Sequence, residues 1–329
     1  METIRWGMIG CGDVTETKSG PGFAKAQNSA LVAVMRRSAD RAEDYARRHN
    51  VPRWSADADD ILAAPDIDAV YIATHPNTHR EYVLRAAEQG KAVYVEKPMA
   101  MDHAECLEMI GACRAAGVPL WVAYYRRLLP RFIAVREMIA DGVIGDVRGM
   151  QAVRYETLPV AGERRVPWQI DPTLSNGGLF FDGVCHLFDF LDSVFGPVKE
   201  VHGVVANRAG AYETEDTVSA SFRFESGVIG SGFWCYASDE KVDRTTVFGA
   251  KGRLSFSTQY AESIIIERGD DVRKVEIADP PHVHQPMIQS IVDELNGVGH
   301  CPSTGDSGAR TAWVMDQILA DFRRDSLRG

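Results

Sequence analysis

Short apolar runs alternate with amphipathic segments along the first third of the chain. Residues 4–9, 31–35, 69–74, 92–95 and 120–123 have strand length and composition, and the stretches between them have helix length. That alternation predicts a doubly wound α/β domain, a parallel sheet with helices on its faces. Helix signals agree with it. Asp102 and Glu105 stand at capping-box spacing, Leu107 and Ile110 supply an apolar stripe, and Gly117-Val118-Pro119 stops the helix. Val83, Ala86 and Ala87 mark another amphipathic helix, closed by Gly90.

After Pro130 the period changes. A helix is expected over residues 131–140, and then strands at 147–156, 200–207, 217–225, 228–236, 245–248, 253–257, 263–267 and 273–277. Several meet at turn signals such as Ser226-Gly227 and Lys251-Gly252. Helical patterns return at 286–295 and 309–323. The second part is therefore expected to be an α+β domain on a large, mostly antiparallel sheet. A chain of 329 residues fits two domains, placed at 1–124 and 125–329.

Composition narrows the partners. With 36 basic and 46 acidic residues the net charge is −10, which repels phosphate backbones and argues against nucleic acid. No apolar run approaches membrane length, and the N-terminus enters strand-like sequence by Ile4, so neither a membrane span nor a secretory signal is expected. Cys11, Cys106, Cys113, Cys185, Cys235 and Cys301 include no CxxC pair, which suits a reducing compartment and a cytoplasmic protein. His282 and His284 lie among prolines with no carboxylate or thiol at ligand spacing, so no metal site is expected.

Candidate chemistry begins where the first strand ends. Gly10-Cys11-Gly12-Asp13-Val14 has the glycines of a turn that lets backbone approach a pyrophosphate. Thr15 stands at the third glycine position, and Ser19-Gly20-Pro21-Gly22 predicts a first helix that is short or kinked. The second strand ends in Arg36-Arg37-Ser38 with no acid before Asp40, which favours NADP(H), NAD(H) remaining possible. Further on, Glu96-Lys97-Pro98 follows the apolar run 92–95, so Lys97 stands at a strand tip, either as a solvated turn residue or as a functional one. Asp182 and His186, four apart in NGGLFFDGVCHLFDFLDSVFG, share a helix face. They read either as a proton-transfer unit or as a histidine satisfied by its neighbour. Gly177 and Gly178 just before them would permit close approach to a ligand.

These pieces, with the stretch YYRRLLP ending at Pro130 and with Trp168, occur in the order of one family: the chain resembles the Gfo/Idh/MocA oxidoreductases over nearly its whole length. The resemblance implies an N-terminal Rossmann domain and places Lys97 beside the nicotinamide and the substrate oxygen, which it would bind and polarise. His186 would be the general acid/base and Asp182 would tune it. Residues 73–79, ATHPNTH, resemble the cofactor loop and bring Thr74, His75, Asn77 and His79 to the dinucleotide with Glu96, His75 replacing a common proline. Arg126, Tyr155 and Trp168 would line the substrate pocket. Gln169 follows Trp168 where many relatives have arginine, which calls a charged substrate contact into question. The implied activity is interconversion of a secondary alcohol and a ketone on a sugar, cyclic polyol or related ring, by a homo-oligomer, dimer or tetramer, paired through the C-terminal sheet. The alternative is a regulator of the same fold that binds dinucleotide without catalysis and needs neither Lys97 nor the Asp182–His186 pair.

Overall fold

The computed structural model describes residues 1–158 and 167–326. In chain order the elements are β1 Ile4–Ile9, α1 Asp13–Thr17, α2 Gly20–Lys25, β2 Ser29–Met35, α3 Ala39–His49, β3 Arg53–Ser55, α4 Asp59–Leu62, β4 Ala69–Ile72, α5 His79–Glu88, β5 Ala92–Val95, α6 His103–Ala116 and β6 Leu120–Val122. Then follow α7 Pro130–Ala140, β7 Val147–Thr157, α8 Leu179–Phe195, β8 Val198–Ala206, β9 Thr217–Phe224, β10 Ile229–Ser238, β11 Val242–Gly249, β12 Gly252–Phe256, β13 Ile264–Arg268 and β14 Asp271–Val275. Helices α9, Gln285–Leu295, and α10, Gly305–Ser326, close the chain. Two compact units result: Met1–Leu129 with Pro280–Ala309, and Pro130–Asp279 with Arg310–Gly329. A linear cut at 124/125 assigns residues 280–309 to the second part; they fold with the first.

The first unit is an all-parallel sheet in the order β3-β2-β1-β4-β5-β6. Strands β4, β5 and β6 are buried at every position, because helices cover both faces of the sheet. Met8, Tyr71, Tyr94 and Trp121 pair in one row across four strands. On that row packs Phe23 of α2, its ring 5.1 Å from Tyr71. The apolar stripe of α9, Met287, Ile288, Ile291 and Val292, is fully buried in this unit, with Ile288 against Gly22. An apolar stripe with no partner nearer in sequence explains why the 280–309 segment returns. As the Pro21 signal predicts, the first crossover holds two short helices instead of one.

The second unit is an eight-stranded sheet, β14-β13-β12-β11-β7-β10-β9-β8, antiparallel except where β7 runs parallel to β10. Strict alternation, as in β9 where Val218, Ala220, Phe222 and Phe224 are buried and the residues between are not, gives the sheet one covered face. Helix α8 packs there, Phe180 on Trp234 at 5.1 Å and Phe188 on Phe222 at 5.2 Å. The opposite face leaves Val204, Ile229 and Phe233 exposed. Among the described residues no helix is long and apolar enough to cross a membrane.

Candidate active site

The dinucleotide candidates of the first unit converge at the carboxyl ends of its strands, the binding edge of open α/β sheets. Gly10 takes φ +95°, and a Cβ there would lie 2.8 Å from the Ala73 carbonyl carbon, so the loop after β4 requires glycine at this position. Gly12 differs. Its backbone is extended, φ −120°, and a Cβ would meet nothing nearer than the Gly10 oxygen at 3.8 Å. The protein does not fill that space, which fits a cradle for a pyrophosphate. Thr15 in place of the third glycine is fully buried and donates its hydroxyl to the Gly12 oxygen at 2.7 Å, bracing the turn. Two substitutions therefore part company. Gly10→Ala should cost about 1–3 kcal/mol of stability from backbone strain, measured by denaturant unfolding. Gly12→Ala should leave stability within about 0.5 kcal/mol but weaken dinucleotide binding, measured by titration.

At the end of β2, Arg36 donates from Nη1 to the Cys11 oxygen at 3.1 Å, holding the glycine turn, while Arg37 and Ser38 are exposed. Asp13 is exposed and Val14 half-buried at the start of α1. Thr74 and His75 are half-buried and Asn77 exposed. His79, by contrast, is a structural tie. Its ring lies 3.1 Å from the Thr74 oxygen on one side, and 3.1 and 3.2 Å from the Pro98 and Met99 oxygens on the other. Burial pushes its titration down to about 4 against the pull of those carbonyls. It joins the loop after β4 to the turn after β5.

That turn carries Lys97, half-buried at the tip of β5 and followed by a cis Pro98. Glu96, expected at the cofactor, turns its carboxyl inward to accept from Tyr71 Oη at 2.5 Å. Arg126 is buried, its guanidinium 5.3 Å from the centre of the Tyr125 ring, and belongs to the first unit. The His282 ring faces the Thr17 oxygen at 2.8 Å and the His284 ring Tyr94 Oη at 3.0 Å. No group of three or more metal-ligating side chains occurs among the described residues.

The second unit holds Asp182 and His186 on α8, one turn apart, the aspartate half-buried and the histidine buried. The glycines before them are required by packing. A Cβ on Gly177 would strike Phe181, and one on Gly178 would lie 2.7 Å from Thr214 Oγ1 and 2.8 Å from the Glu215 oxygen. Room is needed there because buried Glu215 caps the helix from 37 residues away, accepting from Gly178 N at 2.6 Å and Phe181 N at 3.3 Å. It satisfies two backbone donors that a helix start leaves open and fixes the turn that presents Asp182. Trp168 begins a short 3-10 turn, Trp168–Ile170. Tyr155 is not brought to this face. It pairs with Cys235 and packs on exposed Phe233 at 6.1 Å, on the side of the sheet away from α8. Alternation along β7 gives the helix side to Arg154, which lies against Gly183, and to Glu156, which accepts from Tyr260 Oη at 2.7 Å.

Comparison with known proteins agrees with these two units. Residues 4–124 match a family model described as an oxidoreductase family with an NAD-binding Rossmann fold, and residues 132–255 match a GFO/IDH/MocA C-terminal domain. The chain is 36% identical over 318 residues to oxidoreductase P35 of Formosa agariphila, covering 95% of this chain and 97% of that one. It is 31% identical to the trans-1,2-dihydrobenzene-1,2-diol dehydrogenase of Mus musculus, covering 81% and 78%. The aldose-aldose oxidoreductase of Caulobacter crescentus, solved with glycerol, superposes with a TM-score of 0.86 at 25% identity over 98% of both chains.

Proposed function

Because the chain belongs to the Gfo/Idh/MocA oxidoreductases, we propose that it is an NADP(H)-dependent enzyme interconverting a secondary alcohol and a ketone on a sugar, cyclic polyol or related ring. The observation that carries this reading is the presence in one chain of Lys97 at a strand tip and of Asp182 and His186 on one helix face. A regulator that only binds dinucleotide needs none of the three. The names of the mouse and Caulobacter relatives, a ring-diol dehydrogenase and an aldose-aldose oxidoreductase, support the substrate class.

A bound nicotinamide supplies or takes up the hydride. The residues do the rest. The turn at Gly10 and Gly12 holds the pyrophosphate, with Arg36 bracing it. Lys97 donates to the reacting oxygen and lowers the cost of charge there. His186 accepts the hydroxyl proton in oxidation and returns it in reduction, with Asp182 favouring the charged ring. We assign the cofactor's 2′-phosphate to Arg37 and Ser38, since Arg36 is already engaged. NADPH should then bind more tightly than NADH by about tenfold or more, the scale of one or two charge-assisted bonds. Fluorescence titration of both cofactors tests this, and Arg37→Gln should erase most of the preference. Equal affinities in the parent, or a preference for NADH, would refute it. The open sheet face around Val204, Ile229 and Phe233 is assigned to pairing with a second copy, and the cytoplasm to a chain whose six cysteines form no disulfide among the described residues. The function itself is tested by screening sugars, inositols and keto-sugars with NADP⁺ and NADPH for change in reduced-cofactor absorbance.

A further inference from the structure

The first unit buries a run of polar groups behind Lys97 that the chemistry above does not use. The Glu96 side chain is 7% exposed and that of His284 not at all. Tyr71 Oη donates to Glu96 Oε1 at 2.5 Å and lies 3.0 Å from Ser19 Oγ. The Lys97 amide donates to Glu96 Oε2 at 3.2 Å. His284 arrives from the N-terminus of α9, its ring 4.4 Å from that of Tyr125, with Nδ1 3.0 Å from Tyr94 Oη and Nε2 3.6 Å from Glu96 Oε1.

Burial holds both phenols well above 10, so each keeps its proton. Burial, with Lys18, Lys97 and Arg126 nearby, pushes His284 down to about 3, so its ring is neutral. When Tyr94 donates to Nδ1, the single ring proton sits on Nε2, the nitrogen that faces Glu96. At 3.6 Å this is long for a hydrogen bond and acts as an N–H dipole turned to the carboxylate. Burial holds the Glu96 titration above the ordinary carboxylate value, with Tyr71, the Lys97 amide and the charges of Lys97 and Lys18 pulling it back down.

We propose that His284 is a positioning residue for Lys97: through Glu96 it keeps a fixed negative charge beside the Lys97 ammonium and holds that lysine charged and in place. The proposal rests on the reading of Lys97 as donor to the reacting oxygen. His284→Leu removes the N–H, whereas His284→Gln offers an amide N–H in its place. Without the donor the titration of the buried carboxyl rises further, the counter-charge beside the ammonium weakens, and Lys97 gives up its proton at lower pH. The alkaline limb of the pH profile of kcat/KM should move down by about one pH unit, a tenfold loss at a fixed alkaline pH. Glu96→Gln should produce the same shift, His284→Leu should add little to it, and His284→Gln should restore most of the parent profile.

A second readout is independent of turnover: the pH dependence of Lys97 acylation by an amine-selective reagent, followed by peptide mass spectrometry. Lys97 should acylate at lower pH in His284→Leu and in Glu96→Gln than in the parent. If His284→Leu does not fold, His284→Phe, which keeps a ring but has no N–H, carries the comparison. Unchanged acylation profiles in the folded variants would overturn the proposal. A shifted acylation profile with an unshifted kcat/KM profile would uphold it and instead overturn the catalytic reading of Lys97.

Discussion

Lys97→Met should lower turnover by at least about a hundredfold, the usual scale for one electrostatic contact to a reacting oxygen. Methionine keeps most of the apolar stem and occupies a half-buried position at the tip of β5 without disturbing the strand. What it removes is the donor. The glycine turn and its braces, Thr15 on the Gly12 oxygen and Arg36 on the Cys11 oxygen, are untouched. Dinucleotide affinity should accordingly change much less than turnover, and a titration beside the rate measurement separates the two. Near-parent turnover in this variant would return Lys97 to a solvated turn.

His186→Ala should cost roughly a hundred- to ten-thousandfold in turnover, the range for loss of a general acid/base. The pH dependence is the sharper observable. Oxidation needs the neutral ring and reduction the protonated one, so the parent's two directions should trend oppositely with pH about one shared ionisation, and the variant should lose that dependence. Asp182→Asn removes a negative charge one helical turn from the ring. A charge that favours imidazolium raises the pH at which the ring titrates, so its loss should move the profile to lower pH while some activity remains. If His186→Ala keeps the parent's rate and profile, the pair on α8 is structural and the proton travels by another group.

Local patterns were readable where the partners lie close in sequence. The Asp102–Glu105 spacing forms its cap, with Asp102 accepting from Glu105 N at 2.8 Å, although the Glu105 carboxylate reaches Met101 N. Gly117 and Gly90 take the left-handed conformation that ends their helices. The strand runs of both sheets were legible from periodicity except β3, which is three residues long and mostly exposed, and the Gly10 turn was legible from its place after β1. Four features were not, because each depends on residues far apart in sequence. The 280–309 segment belongs to the first unit through an apolar helix stripe whose partner lies some 260 residues earlier, at Gly22. That return turns His284, which reads in sequence as a stray histidine among prolines, into a neighbour of Glu96. The glycines at 177 and 178 make room for Glu215, a cap that no local motif announces. Tyr155 follows from strand alternation, but choosing which parity faces α8 requires knowing which face the helix covers.

The most direct test of the central claim compares the parent with a Lys97→Met/His186→Ala double variant in one experiment. Each is titrated with NADPH and then screened with sugars, inositols and keto-sugars at the reduced-cofactor absorbance. The account predicts that both bind NADPH with similar affinity, and that the parent alone oxidises or reduces at least one carbohydrate or cyclic polyol. A parent that binds the dinucleotide and turns over none of them, or a double variant that matches the parent's rate, would contradict it.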